Sequence, residues 1–313
     1  MVVECLTVSP SDYARILLAK APLGGRRDND SSGQARVVDD RHGDSKERRR
    51  WPAAGGDPSR RAARDQREVA RSGPGRARRA QPQHARQGDD RTPQDVPPIP
   101  PDVEARQLAP EIRRELSTLD RATADAVARH LVAAGELIDD DPEAALSHAR
   151  AARARSGRIA AVREALGIAA YHCGNWSQAL AELRAARRMG SKSPLLPLIA
   201  DCERGLGRPE RAIELARGPE AAQLIGDDAD ELRIVAAGAR ADLGQLEQAL
   251  TVLSTPQLDP NRTGSTAARL FYAYAETLLA LDRGDEALQW FLRSAAADVD
   301  AVTDAEERVS ELA

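Results

Sequence analysis

Aromatic residues are scarce in this 313-residue chain: two Phe, three Trp and four Tyr. A core must therefore be built mainly from Ala, Leu, Ile and Val, which suits helices that approach closely and suits broad sandwiches or barrels poorly. Cysteine is rarer still. Cys5, Cys173 and Cys202 form an odd set with no CxxC spacing, which argues against a disulfide framework and for a reducing compartment. No run of 18 apolar residues occurs, so no membrane-spanning helix is expected. The apolar run Ala14-Arg15-Ile16-Leu17-Leu18-Ala19 is too short, and comes too late after Glu4 and Asp12, to read as an export signal. A cytoplasmic protein without a membrane partner is the expectation.

Periodicity is the next absence. From Gly24 to Pro101 the sequence shows neither a 2-residue nor a 3.6-residue apolar period and is rich in Arg, Asp, Gly, Ser, Gln and Pro. Such a stretch buries too little apolar surface to offset backbone ordering at about 1–2 kcal/mol per residue. Residues 1–101 are thus expected to be a disordered tail, closed by the stiff spacer Pro97-Pro98-Ile99-Pro100-Pro101. The net charge of −4 conceals an asymmetry. Residues 1–100 carry 20 Lys+Arg against 14 Asp+Glu, whereas residues 101–313 carry 25 against 35. Within the tail, residues 41–88 hold 14 Lys+Arg and 5 Asp+Glu, a segment able to attract RNA or DNA. It has only Trp51 as an aromatic and no repeated RGG unit, so a plain soluble linker is the competing reading.

After Pro110 an uninterrupted helical texture begins. Its organisation emerges from a repeat of Ala followed by an aliphatic residue: Ala145-Leu146, Ala179-Leu180, Ala212-Ile213, Ala249-Leu250 and Ala287-Leu288, spaced 34, 33, 37 and 38 residues apart. Twelve residues before each anchor stands a small residue: Ala133, Gly167, Ala200, Ala237 and Ala275. Five before each stands a turn former: Asp140, Gly174, Gly207, Gly244 and Asp282. Two helices joined by a tight turn can cross closely where both carry a small side chain, which is what this register provides five times. Asp141-Pro142-Glu143 reads as a capped helix start. Pro219 and Pro256, each seven residues after an anchor, require short second helices in units three and four.

Leu166-Gly167, the turn Gly174-Asn175-Trp176, then Ala179-Leu180 and Ala186 resemble the tetratricopeptide repeat family, as do Leu206-Gly207 through Ala212 and Leu243-Gly244 through Ala249. The resemblance covers roughly residues 121–297, and the chain is similar to uncharacterised bacterial members with degenerate arrays. It departs from the family in the first helices, where the usual early aromatic is replaced by Arg129, Arg163, Leu196 and Arg233 and only Phe271 keeps it. The resemblance implies an all-α helix-turn-helix solenoid of about five repeats and a concave groove, lined by first helices, that binds another protein. Residues 102–120 and 298–313 are expected to be capping helices at the two ends.

Projected onto that register, the groove holds Glu164, Tyr171 and His172, then Asp201 and Arg204, then Arg269, Tyr272 and Glu276. Trp290 is a further candidate anchor, or else it packs beneath the terminal helix. Lysine is nearly absent (Lys20, Lys46, Lys192), so the family's lysine-and-asparagine clamp for acidic C-termini does not carry over. Met189-Gly190-Ser191-Lys192-Ser193 lacks the earlier glycine and the preceding strand of a phosphate loop. His172-Cys173 are neighbours that point apart on a helix, and the acid runs 139–141 and 227–228 lack the rest of a calcium loop. No catalysis, no cofactor, no metal and no small-molecule substrate is expected.

Overall fold

The computed structural model describes residues 96–313. The expectations for the tail, including the nucleic-acid reading of residues 41–88, fall outside the described residues. Among the described residues the chain is all-helical, with α1 (Pro110–Leu116), α2 (Arg121–Leu137), α3 (Pro142–Arg155), α4 (Ala160–His172), α5 (Trp176–Arg188) and α6 (Leu196–Gly205). There follow α7 (Pro209–Ala216), α8 (Asp227–Asp242), α9 (Leu246–Leu253), α10 (Ser265–Ala280), α11 (Gly284–Ala297) and α12 (Ala305–Leu312). Short 3-10 turns precede α1 and α8. The pairs α2/α3, α4/α5, α6/α7, α8/α9 and α10/α11 are the five hairpins expected from the repeat, and the fold is tetratricopeptide-like.

Local chemistry sets the ends of these helices. Asp120 and Asp141 each accept a backbone N–H three residues on at 3.0 Å, and Asn175 caps α5 in the same way. In four of the five hairpins the reversal uses a left-handed residue, which Gly174, Gly207 and Gly244 supply with φ of 65°, 70° and 70°; the turn at Asp140 uses none. Asp282 does the same at 58°, within the tolerance of a short polar side chain. The second helices of units three and four, α7 and α9, are only 8 residues long and stop before Pro219 and Pro256, whereas α3, α5 and α11 run for 14, 13 and 14.

The small residues lie where the helices cross. All five anchor alanines are fully buried, as are Ala133, Ala200, Ala237 and Ala275 opposite them. Gly167 marks a tight crossing, since a Cβ there would lie 2.7 Å from Leu183 Cγ and 3.1 Å from its backbone nitrogen. Substantial contacts join only elements one or two places apart in chain order, as a linear array requires. First helices also touch the next first helices (α2 with α4, α6 with α8, α8 with α10), while successive second helices meet far less. The first helices therefore make the crowded side of the array.

At the N-terminal end, Val103, Leu108, Ile112 and Leu116 join one apolar cluster with Val127, Leu131 and Val162 of α2 and α4. Arg129 fastens this edge by donating to the Val103 carbonyl at 2.9 Å. At the other end α12 lays Ala305, Val309 and Leu312 on Leu250, Tyr272 and Phe291. Val302 sits in the preceding loop and is exposed. Ala305 follows Ala267 by 38 residues, the interval that separates Ala249 from Ala287, so α12 stands in the place of a first helix.

Candidate functional site

Positions 18, 15, 11 and 8 before each anchor share one stripe of a first helix. The stripe carries His130 in unit one, Glu164 and Tyr171 in unit two, and Asp201 and Arg204 in unit three. It continues through Glu231 in unit four to Arg269, Tyr272 and Glu276 in unit five. The structure differs from an open, solvated lining at these positions: every one of them is less than a tenth exposed. The first helices lie close enough for several of these side chains to reach across to the next helix.

The links cross four successive seams. Tyr171 of α4 donates its hydroxyl to the Asp201 carboxylate of α6. Arg204 holds Asp201 on its own helix at 2.9 Å and reaches Asp242 of α8 at 2.6 Å. Arg269 of α10 donates to Glu231 of α8, and Arg308 of α12 donates to Glu276 of α10 at 2.9 Å. Gly238 provides clearance for the second link, because a Cβ on it would lie 3.0 Å from the Arg204 guanidinium carbon. Glu164 accepts from Ser191 of the α5–α6 loop at 2.6 Å, and burial pushes its pKa up against the pull of Ser191 and Ser193.

The remaining sequence-derived candidates are placed as follows. His172 is partly exposed at the end of α4; burial lowers its pKa to about 4, and its Nε2 has no hydrogen-bond partner among the described residues. Tyr272, expected outside the core, is buried edge-on against Phe291 with ring centroids 5.3 Å apart. Trp290 is half-buried. It packs on Tyr274 and Phe271 at 5.0 and 5.3 Å, and the Arg293 guanidinium lies 4.3 Å over its ring. The structure thus brings Tyr171, Asp201 and Arg204 together and keeps them apart from Arg269, Tyr272 and Glu276, which serve later seams.

Sequence reasoning missed Glu231, Asp242 and Arg308. Glu231 and Arg269 occupy the same register position with opposite charge, 38 residues apart, and that comparison along the repeat is the signal that finds such a pair. A second missed pair is His130 and His148, buried in the first hairpin with Nδ1 atoms 3.0 Å apart. Burial lowers both, His130 to about 4 with the Arg155, His148 and Arg129 charges adding to the effect.

Burial raises the Cys202 thiol far above its ordinary range, and Cys173 is shifted in the same direction. Among the described residues no group of three or more His, Cys, Asp or Glu side chains is placed to hold a metal, and no helix is long and apolar enough to cross a membrane. Two shallow hollows lie behind the shortened second helices. One, of about 260 Å³, is walled by Ala216, Ala221, Leu232, Ala236 and Val252, with Arg217 and Arg233 beside it. The other, of about 210 Å³, lies between the Pro260–Thr263 loop and the Leu292 face of α11.

No protein-family model matches the chain, and no curated protein matches it. Among solved structures it is similar to YrrB, described as a TPR protein with an unusual peptide-binding site, at 18% identity and a TM-score of 0.39 over 63% of this chain and 97% of that one. It is also similar to the P58(IPK) TPR domain, at 16% identity and a TM-score of 0.31 over 60% of this chain and 55% of that one.

Proposed function

We propose that this protein is a protein-interaction scaffold, whose array presents its first-helix side to a helix or extended segment of another protein. One observation carries the reading. The polar stripe runs along a single side through units two to five and is bonded across the four seams from α4 to α12. A surface fixed in this way has little conformational entropy left to lose when a partner docks. Repeated helical hairpins use their extended faces for binding more than for chemistry. We read Glu164, Tyr171, Asp201, Arg204, Arg269, Tyr272 and Glu276 as the floor of that side, with His172 at its rim.

The test is affinity capture from the native lysate with the full chain and with residues 96–313, each with and without nuclease. A protein retained by both baits after nuclease supports the scaffold, and amide exchange should then slow in α4, α6, α8 and α10 more than in α5, α7, α9 and α11. Capture that requires the tail and disappears with nuclease would overturn this reading in favour of RNA or DNA binding through residues 41–88.

A further inference from the structure

The loops that join one hairpin to the next all lie on one edge of the array, because first helices run one way and second helices the other. On this edge Arg158, Arg188, Lys192 and Arg217 are exposed, and none has a carboxylate partner among the described residues. The carboxylates nearby are already engaged: Glu182 by Arg153 and Arg163, Glu220 by Arg187, and Asp227 by Arg262. The helix dipole accounts for Arg188, the last residue of α5, but its effect fades within the final turn. Arg158 and Lys192 stand out in the loops beyond. They form a row of unmatched cations on a segment that is otherwise net acidic.

The row ends at the larger hollow. Arg217 sits beside its apolar walls, where α7 stops at Ala216 and leaves only a partial second helix over Leu232 and Ala236 of α8. There is room for one branched apolar side chain, next to a guanidinium.

We infer that the inter-hairpin edge of units one to four is a docking surface for an acidic, extended protein segment that carries one apolar anchor. The anchor enters the hollow beside Arg217, and carboxylates meet Lys192, Arg188 and Arg158 in turn. Neighbouring hairpins are spaced about 10 Å apart and an extended strand rises about 3.3 Å per residue. Carboxylates at every third position therefore keep step with the junctions, Lys192 and Arg188 sharing one and Arg158 standing at the next. A nucleic acid fits less well, since base stacking needs aromatic platforms. Tyr171 and Trp176 lie at the opposite ends of α4 and α5, and the remaining described aromatics lie in unit five.

This inference rests on the interaction reading but names a different face, so the two fail separately. Three labelled probes are titrated into the full chain by fluorescence anisotropy at low salt. The first is a peptide of about twelve residues with a terminal leucine and glutamate at every third position. The second has glutamine for each glutamate, and the third is an oligothymidylate of equal length. The acidic peptide should bind at least about tenfold more tightly than the other two, and its affinity should fall steeply with salt. The triple variant Arg158→Glu, Lys192→Glu, Arg217→Glu should lose that binding with its helical circular dichroism intact; Lys192→Gln alone should show a smaller loss. Replacing the peptide's leucine by serine should weaken it several-fold. Equal binding of the glutamine peptide, tighter binding of the oligothymidylate, or an unaffected triple variant would each overturn the proposal. If a lysate protein is captured while the acidic peptide fails to bind, the scaffold stands and this edge is not its docking surface.

Discussion

Arg204→Met is the most direct probe of the cross-seam links. The Arg204 side chain is 5% exposed and neutralises two carboxylates, Asp201 at 3% and Asp242 at 19% exposure. Methionine keeps most of the volume and removes both bonds. Stripping one partner from a buried ion pair costs about 3–5 kcal/mol, mainly because a charge is left stranded. Two features reduce that figure here: Asp201 keeps the Tyr171 hydroxyl, and Asp242 is exposed enough to regain some water. The expected loss is about 3 kcal/mol. For a domain of this size it corresponds to a fall of about 6–12 °C in melting temperature by calorimetry or circular dichroism. Adding Asp201→Asn removes the stranded charge, so the double variant should recover about 1 kcal/mol relative to Arg204→Met. A shift below about 2 °C, or a double variant less stable than the single one by the full cost of Asp201→Asn, would mean the guanidinium is effectively solvated and the seam is not held this way.

Gly238→Val should mimic part of that loss, about 1–3 kcal/mol in chemical denaturation, because its side chain collides with the Arg204 guanidinium. The cost should shrink when Arg204 is already Met. The histidines give a pH signature. His130 and His172 have folded pKa values of about 4 against an ordinary 6.5, so the unfolded chain binds more protons between those limits. Their stability contribution is complete above pH 6.5 and is lost as pH falls towards 4. Glu164, with its raised pKa, acts in the opposite sense near its ordinary value. Melting curves from pH 7 to 4 should therefore fall, and His130→Leu/His148→Leu should flatten the fall; an unchanged slope would refute the assignment. Phe291→Ala, at a fully buried site, should cost about 3–5 kcal/mol and release α12, read as faster proteolysis between residues 298 and 304. Cys202 should resist thiol reagents in the folded protein and react only on unfolding.

The hairpin register was legible because it rests on backbone needs that a sequence displays locally. Close crossings demand small residues such as Gly167 and Ala179, reversals demand Gly174 or its equivalent, and prolines such as Pro219 stop helices. The character of the inner side was not legible in the same way. Whether Asp201 faces water or Tyr171 depends on how closely α4 and α6 approach, a property of two units together and of no single stretch. Tyr272 illustrates the difficulty. Its position reads as groove-facing in an open array, yet here Phe291 and the terminal helix cover it.

The cross-seam links have a consequence for how such a chain can evolve. The first three boundaries each use their own chemistry: phenol to carboxylate, then arginine to a helix-end aspartate, then arginine to glutamate in the reverse chain direction from the step before, a pairing that α12 repeats. A unit moved to another slot would meet the wrong group, two acids or an acid against an aliphatic wall. The hairpins thus behave as keyed links whose sequence along the chain is enforced by mismatch. Duplication or shuffling of single units, the easy route for many repeat proteins, is closed here unless both flanking residues change at once.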